Sequence, residues 1–256
     1  MKKLFLNDRI YTGIGSRETP SDIQRKLTDT AKKLNSVGFT LRSGHADGAD
    51  KAFEKGSNRK EVYVPWSTFN GFSGDFVDFD NDLKKFTAKE FDKYRKGEAE
   101  WTRIKEPVQK IMMRNVKQII GEDINNPIPS DFVVCWAETD EEGNPVGGTG
   151  FAVHIAKKFD IPILNINNPD DLKTLHILLT CLKYDHMIKF IRQLLTFYYD
   201  ELDSESQEIL DSIESIPYVS NLENKDILSL HQYLTKEFTI LLKHLYNKHR
   251  KLRNGT

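Results

Sequence analysis

Residues able to hold a phosphate without a metal gather in three short glycine-bearing segments: Gly13-Ile14-Gly15-Ser16-Arg17, Ser43-Gly44-His45-Ala46-Asp47-Gly48-Ala49-Asp50 and Gly147-Gly148-Thr149-Gly150. Each follows a run that reads as a strand and precedes one that reads as a helix. Where such turns share the edge of a parallel sheet, backbone N–H groups and helix N-termini form an anion site. Gly15 and Gly44 let the backbone approach a ligand with no Cβ in between, and Gly147-Gly148 can offer consecutive amides at a helix start. Ser16, Ser43 and Thr149 add hydroxyls. Arg17 and Arg114 add planar guanidinium forks that match phosphate oxygens. The chemistry in view is recognition of a nucleotide-like ligand.

Other candidates carry two readings. Asp47 and Asp50 could bind ribose hydroxyls or cap the helix that follows. Asn115 could place a base or satisfy a buried backbone group. Trp136 could stack on a base or pack in the core. His45 with Asp47 and Asp50 is too small and local a set for a metal site. The first turn has Glu18 where the third glycine of the dinucleotide fingerprint would stand, and the second strand ends in Arg42-Ser43 rather than an acid. No glycine turn continues into Gly-Lys-Ser or Gly-Lys-Thr. Neither a metal nor a cofactor is expected.

The elements that must position these residues alternate. Strand character appears from Arg9 to Thr12, Phe39 to Arg42, Glu61 to Trp66, Asp131 to Trp136 and Ile161 to Ile166. Thr19-Pro20-Ser21-Asp22 opens a helix whose apolar positions are Ile23, Leu27, Ala31 and Leu34. A short helix runs from about Ala49 to Lys55, and a buried one carries Phe151, Val153, Ile155 and Ala156. Trp101, Ile104, Val108, Ile111, Met112, Asn115 and Ile119 line one face of another, with Lys105, Lys110, Arg114 and Lys117 elsewhere on its surface. Strand and helix in alternation predict an α/β fold, a Rossmann-like, doubly wound, mostly parallel sheet over residues 1–167. An insertion at about 67–97, long enough for a lid, should hold one short helix. Residues 168–256 are leucine-rich and read as a C-terminal helical extension whose stripes pack on the sheet domain, on each other or on a second subunit.

Composition narrows the classes. The 37 Lys and Arg side chains against 38 Asp and Glu leave no global basic field for nucleic acid. No apolar run is long enough for a signal peptide or a bilayer span, which predicts a cytoplasmic protein with no membrane partner. Cys135 and Cys181 read as buried thiols.

Taken in order, Tyr11-Thr12-Gly13-Ile14-Gly15-Ser16-Arg17, Leu41-Arg42-Ser43-Gly44-His45-Ala46-Asp47-Gly48-Ala49-Asp50, Arg114-Asn115 and Gly147-Gly148-Thr149-Gly150 resemble the motifs of the SLOG superfamily. The branch they resemble is DNA recombination-mediator protein A-like, often seen in phages. The resemblance covers roughly residues 9 to 166. It implies strand tips that bind a nucleotide or nucleotide-derived molecule. Relatives within the superfamily include the Lonely-guy phosphoribohydrolases, which cleave N-glycosidic bonds, and a mediator that loads recombinase on single-stranded DNA. The phosphoribohydrolases carry a catalytic glutamate just after their glycine turn. Here Phe151 stands at that motif's threonine, with Val153 and His154 in place of its paired glutamates. No catalytic residue is assigned, and Glu54, Glu138 or Asp140 could substitute only if the fold brings one near. The expectation is a nucleotide-binding protein, a phage sensor or sequestering protein or an N-glycosidic hydrolase, with homo-oligomers possible through the helical extension. The alternative is a single-stranded DNA-binding recombination mediator. Its basic groove would lie among Lys84, Lys85, Lys89, Lys93, Arg95, Lys96 and Arg103.

Overall fold

A computed structural model of the protein describes residues 9–72, 79–96, 100–176, 178–180, 182, 183 and 207. Its centre is a five-stranded sheet of β1 (Ile10–Gly15), β2 (Thr40–Ser43), β3 (Lys60–Val62), β4 (Phe132–Trp136) and β5 (Ile163–Asn165). The order is β3-β2-β1-β4-β5 and every pairing is parallel. This is a Rossmann-like, doubly wound α/β fold. Its strand order reverses between β1 and β4, where open parallel sheets place their ligands. The all-apolar β4 is buried along its whole length, as a strand covered on both faces must be.

The alternation of side chains along β1 divides the two covering layers. The Tyr11 ring packs with Phe39, Phe53 and Phe132 on the side of α1 (Ser21–Ser36) and α2 (Ala49–Gly56). Ile14 turns to the other side and joins a core built from α3 (Asn81–Tyr94), α4 (Glu106–Ile120) and α5 (Gly147–Lys158). There Thr12 Oγ1 donates to the Gln118 carbonyl at 2.6 Å, tying β1 to the last turn of α4.

The elements differ from expectation in informative places. The strand expected over Glu61–Trp66 is only Lys60–Val62, because Pro65 removes a ladder donor just beyond it. The insertion carries a full helix, α3, whose buried face is Leu83, Thr87, Glu90 and Phe91. Two of those four are polar, which broke the apolar periodicity. On α4 the expectation that Arg114 and Lys117 lie on the surface is corrected, since both are buried. Arg114 is sheltered by its partner Asp50, and the Lys117 ammonium lies 5.5 Å from the centre of the Phe79 ring.

The chain divides into two compact units, Met1–His176 and Ile177–Thr256. Near the end of the first, a helix begins at Pro169, where Asn168 Oδ1 accepts the Asp170 N–H at 2.8 Å. Cys135 is buried, which pushes its thiol up to about 12. Cys181, the stripe from Leu228 to Phe238 and the basic C-terminal cluster lie outside the described residues. No helix among the described residues is long and apolar enough to cross a membrane.

Candidate functional site

At the C-terminal ends of β1 and β4 a cavity of about 400 Å³ opens at the point where the strand order reverses. It brings together Gly15, Ser16, Arg17, Asp50, Arg114, Asn115, Gly147, Gly148 and Thr149, drawn from all four motif segments. Gly13, Ser43, Gly44, Asp47 and Trp136 are not in its lining.

The floor is a buried polar cluster. Arg114 Nη1 reaches Asp50 Oδ2 at 3.2 Å and Gln118 Oε1 at 2.6 Å. Among the described residues, Arg114 Nε and Gln118 Nε2 have no hydrogen-bond partner. Buried donors are nearly always paired, and leaving one unpaired costs about 1–3 kcal/mol; both of these belong to side chains that line this cavity. Burial lifts the Asp50 carboxyl to about 6, against the pull of Arg114 and of the Ala46 and Gly15 amides. The same burial lowers the Arg114 guanidinium, which Asp50 opposes.

The walls follow from the turns. After β1, Ser16 N–H donates to the Trp136 carbonyl at 2.9 Å, and the Ser16 carbonyl accepts Thr19 Oγ1 at 2.6 Å, so Thr19 braces this turn instead of capping α1. The loop so fixed presents exposed Arg17, which makes no ion pair among the described residues. Opposite it, α5 starts at Gly147 with φ 67, a left-handed conformation that favours glycine. No side chain caps this helix, so its first N–H groups are left for water or a ligand. Two carbonyls of the turn are held from outside the helix: Tyr94 Oη donates to Gly147 at 3.3 Å, and Asn115 Nδ2 donates to Gly148 at 2.9 Å. Asn115 therefore braces the glycine turn from within the cavity. At the mouth, Val108 and Val146 are exposed beside Ile111, Met112 and Phe69, an apolar lip above a polar floor.

The motif residues outside the lining serve the site from behind. A Cβ on Gly13 would come within 2.6 Å of the Phe53 ring, so this glycine makes room for the α2 core. A Cβ on Gly44 would overlap the Arg114 guanidinium, so the absent side chain is the space Arg114 occupies. Ser43 is fully buried, its Oγ 3.4 Å from the Asp50 carbonyl. Trp136 is buried at the end of β4. Asp47 is exposed and paired with Lys51 at 2.7 Å, and it does not cap α2.

The carboxylates considered as replacements part company. Glu138 lines the cavity rim, Asp140 folds back on the N–H groups of Glu142 and Asn144, and Glu54 holds His45. His154 is turned to α3, its Nε2 3.3 Å from Glu90, and does not line the cavity. Gln118 was missed in the sequence. It lies one helical turn beyond Arg114, on the same face, and that spacing was the available signal.

No protein-family model matches the chain, and no curated protein matches it. Among solved structures, DNA processing protein A from Helicobacter pylori, described for its single-stranded DNA binding mode, aligns at 13% identity with a TM-score of 0.35. The alignment covers 61% of this chain and 63% of that one, so the chain spans under two thirds of the neighbour's length.

Proposed function

We propose that the cavity between β1 and β4 binds a phosphate-bearing small molecule of the nucleotide class and holds it without cleaving it. The observation that carries this reading is the pair of unpartnered buried donors, Arg114 Nε and Gln118 Nε2, beneath the uncapped start of α5. Helix N-terminal amides and the Arg17 fork supply the anion's partners. The volume of about 400 Å³ suits a mononucleotide, and the lip of Val108, Ile111, Met112 and Val146 suits the face of a base. Cleavage of an N-glycosidic bond needs a carboxylate free to face the sugar. Of the lining carboxylates, Asp50 is buried and engaged by Arg114, while Glu18 and Glu138 stand exposed at the rim, and the retained molecule, intact or cleaved, decides whether either of them acts on it. The protein in this reading is a sensor or a sequestering protein.

The test is to incubate purified protein with a nucleotide extract, denature it and identify the retained molecule by mass spectrometry. An intact nucleotide supports the proposal. A free base with its sugar phosphate would convert the reading to hydrolysis, and an empty protein would overturn it. Single-stranded DNA, the second reading, presents the same phosphates to the open mouth of the cavity. Oligonucleotide binding that Arg17→Ala abolishes, with no mononucleotide bound, would establish it instead.

A further inference from the structure

A second hollow, a groove of about 970 Å³ bordered by residues of α1 and α2, shares no lining residue with the cavity above and contains a pairing that the first site does not use. Glu54, buried, accepts the His45 backbone N–H at 3.0 Å and meets the ring Nδ1 at 2.7 Å. His45 sits at φ 56, a backbone conformation that a non-glycine residue holds only when its surroundings impose it. With Nδ1–H given to the carboxylate, Nε2 is the ring's remaining end, and it has no hydrogen-bond partner among the described residues. In the lining of the groove, cations outnumber carboxylates. Lys32 and Lys51 are matched by Asp29 and Asp47, and Lys60 donates to the Glu54 carbonyl. Arg25 and Lys55 make no ion pair among the described residues.

We infer that this groove is a second anion site, taking a phosphate monoester or diester group, with His45 Nε2 as its directed donor and Arg25 and Lys55 as its counter-charges. On binding the anion, the ring takes a second proton from solvent at Nε2, so that Nδ1–H serves Glu54 and Nε2–H the phosphate oxygen, with the buried carboxylate balancing the charge. Glu54 also acts electrostatically on Asp50 and Arg114 of the first cavity, so the Arg17→Ala background is needed to separate the two responses.

The experiment follows the His45 ring nitrogens and ring protons by NMR during titration of the full chain with pyrophosphate and, separately, with a short thymidine oligonucleotide. Both titrations are repeated in Arg17→Ala. The ring signals should shift saturably in both backgrounds, and the double variant Arg25→Ala, Lys55→Ala should weaken that response at least fivefold with an unchanged backbone spectrum. A response to pyrophosphate alone marks a site for a terminal, multiply charged phosphate group such as a monoester carries, and a response to the oligonucleotide alone marks a diester site. Shifts that vanish with Arg17, an unweakened response in the double variant, or no shift with either probe would each overturn the inference.

Discussion

Arg17 and Asp50 illustrate how differently two residues of one site can be tested. Arg17 is exposed and unpaired, so Arg17→Ala should leave thermal stability unchanged while nucleotide affinity falls about tenfold or more, the worth of one charge-assisted contact. Calorimetric titration beside a melting curve checks both halves. Asp50 cannot be removed so cheaply, because Asp50→Ala leaves the buried guanidinium with neither a counter-charge nor an acceptor and should cost about 3–5 kcal/mol. Its titration is the gentler probe. With the folded carboxyl raised to about 6 by burial, the native state keeps a proton that the unfolded chain has already lost. Asp50's contribution to stability is therefore full below the ordinary carboxylate range and disappears as pH rises through about 6. Protonation also removes a negative charge from the floor of the cavity. A phosphodiester ligand, whose own charge is constant over this range, should bind more tightly as pH falls from 7 to 5, and that gain should be absent in Asp50→Asn.

Among the elements, α3 has the most to say about function. It is clamped to α5 by Glu90, which meets His154 and, at 3.4 Å, Lys158 while Lys93 of α3 itself steadies it at 3.0 Å, and by the edge-on contacts of Phe91 and Tyr94 with Phe151. Burial pushes the Glu90 carboxyl up, yet the hydrogen bond from Lys93, the charge of Lys158 and the His154 contact outweigh it and leave it lowered. His154 thus docks a neighbouring helix and does not face the cavity. Gly150 belongs to the same arrangement, since a Cβ there would overlap the Pro145 carbonyl and the Tyr94 hydroxyl. Because Tyr94 holds the Gly147 carbonyl, it orients the peptide whose N–H belongs to Gly148. Tyr94→Phe should keep the fold, lose about 1 kcal/mol of ligand binding and leave Arg17 still required, as titrations of the single and double variants would show. The parallel strands and the three turns were legible in the sequence because β-branched runs and glycine punctuation are local signals. The clamp was not, because Thr87 and Glu90 look like surface residues until His154, 64 positions away, is brought beside Glu90. Gly15 and Gly44 were readable as close-approach glycines. What approaches them is protein and not ligand, the Trp136 backbone and Ala49 at Gly15 and the Arg114 guanidinium at Gly44, and that is set by tertiary packing alone.

For the whole molecule, charge separates the two readings of function. A net charge of −1 supplies no long-range attraction for a polyanion, so contacts within one cavity must carry the binding. Affinity for a mononucleotide should change only a few-fold between 50 and 200 mM salt. A single strand held along several phosphates would instead lose orders of magnitude over the same interval. Fluorescence anisotropy with a labelled mononucleotide and a labelled oligonucleotide, run side by side across that range, checks this.

The account rests on the turn after β1, the buried Arg114 and the start of α5 serving one phosphate. Isothermal titration of the wild-type chain and Arg17→Ala with nucleoside mono- and diphosphates, cyclic nucleotides and ADP-ribose tests this most directly. One ligand of the panel should bind at a saturable site that loses about tenfold or more in Arg17→Ala, in the wild-type chain and equally in the Arg25→Ala, Lys55→Ala background that silences the second groove. Heat-silent titrations with every member of the panel, or binding in that background that is indifferent to Arg17, would contradict it.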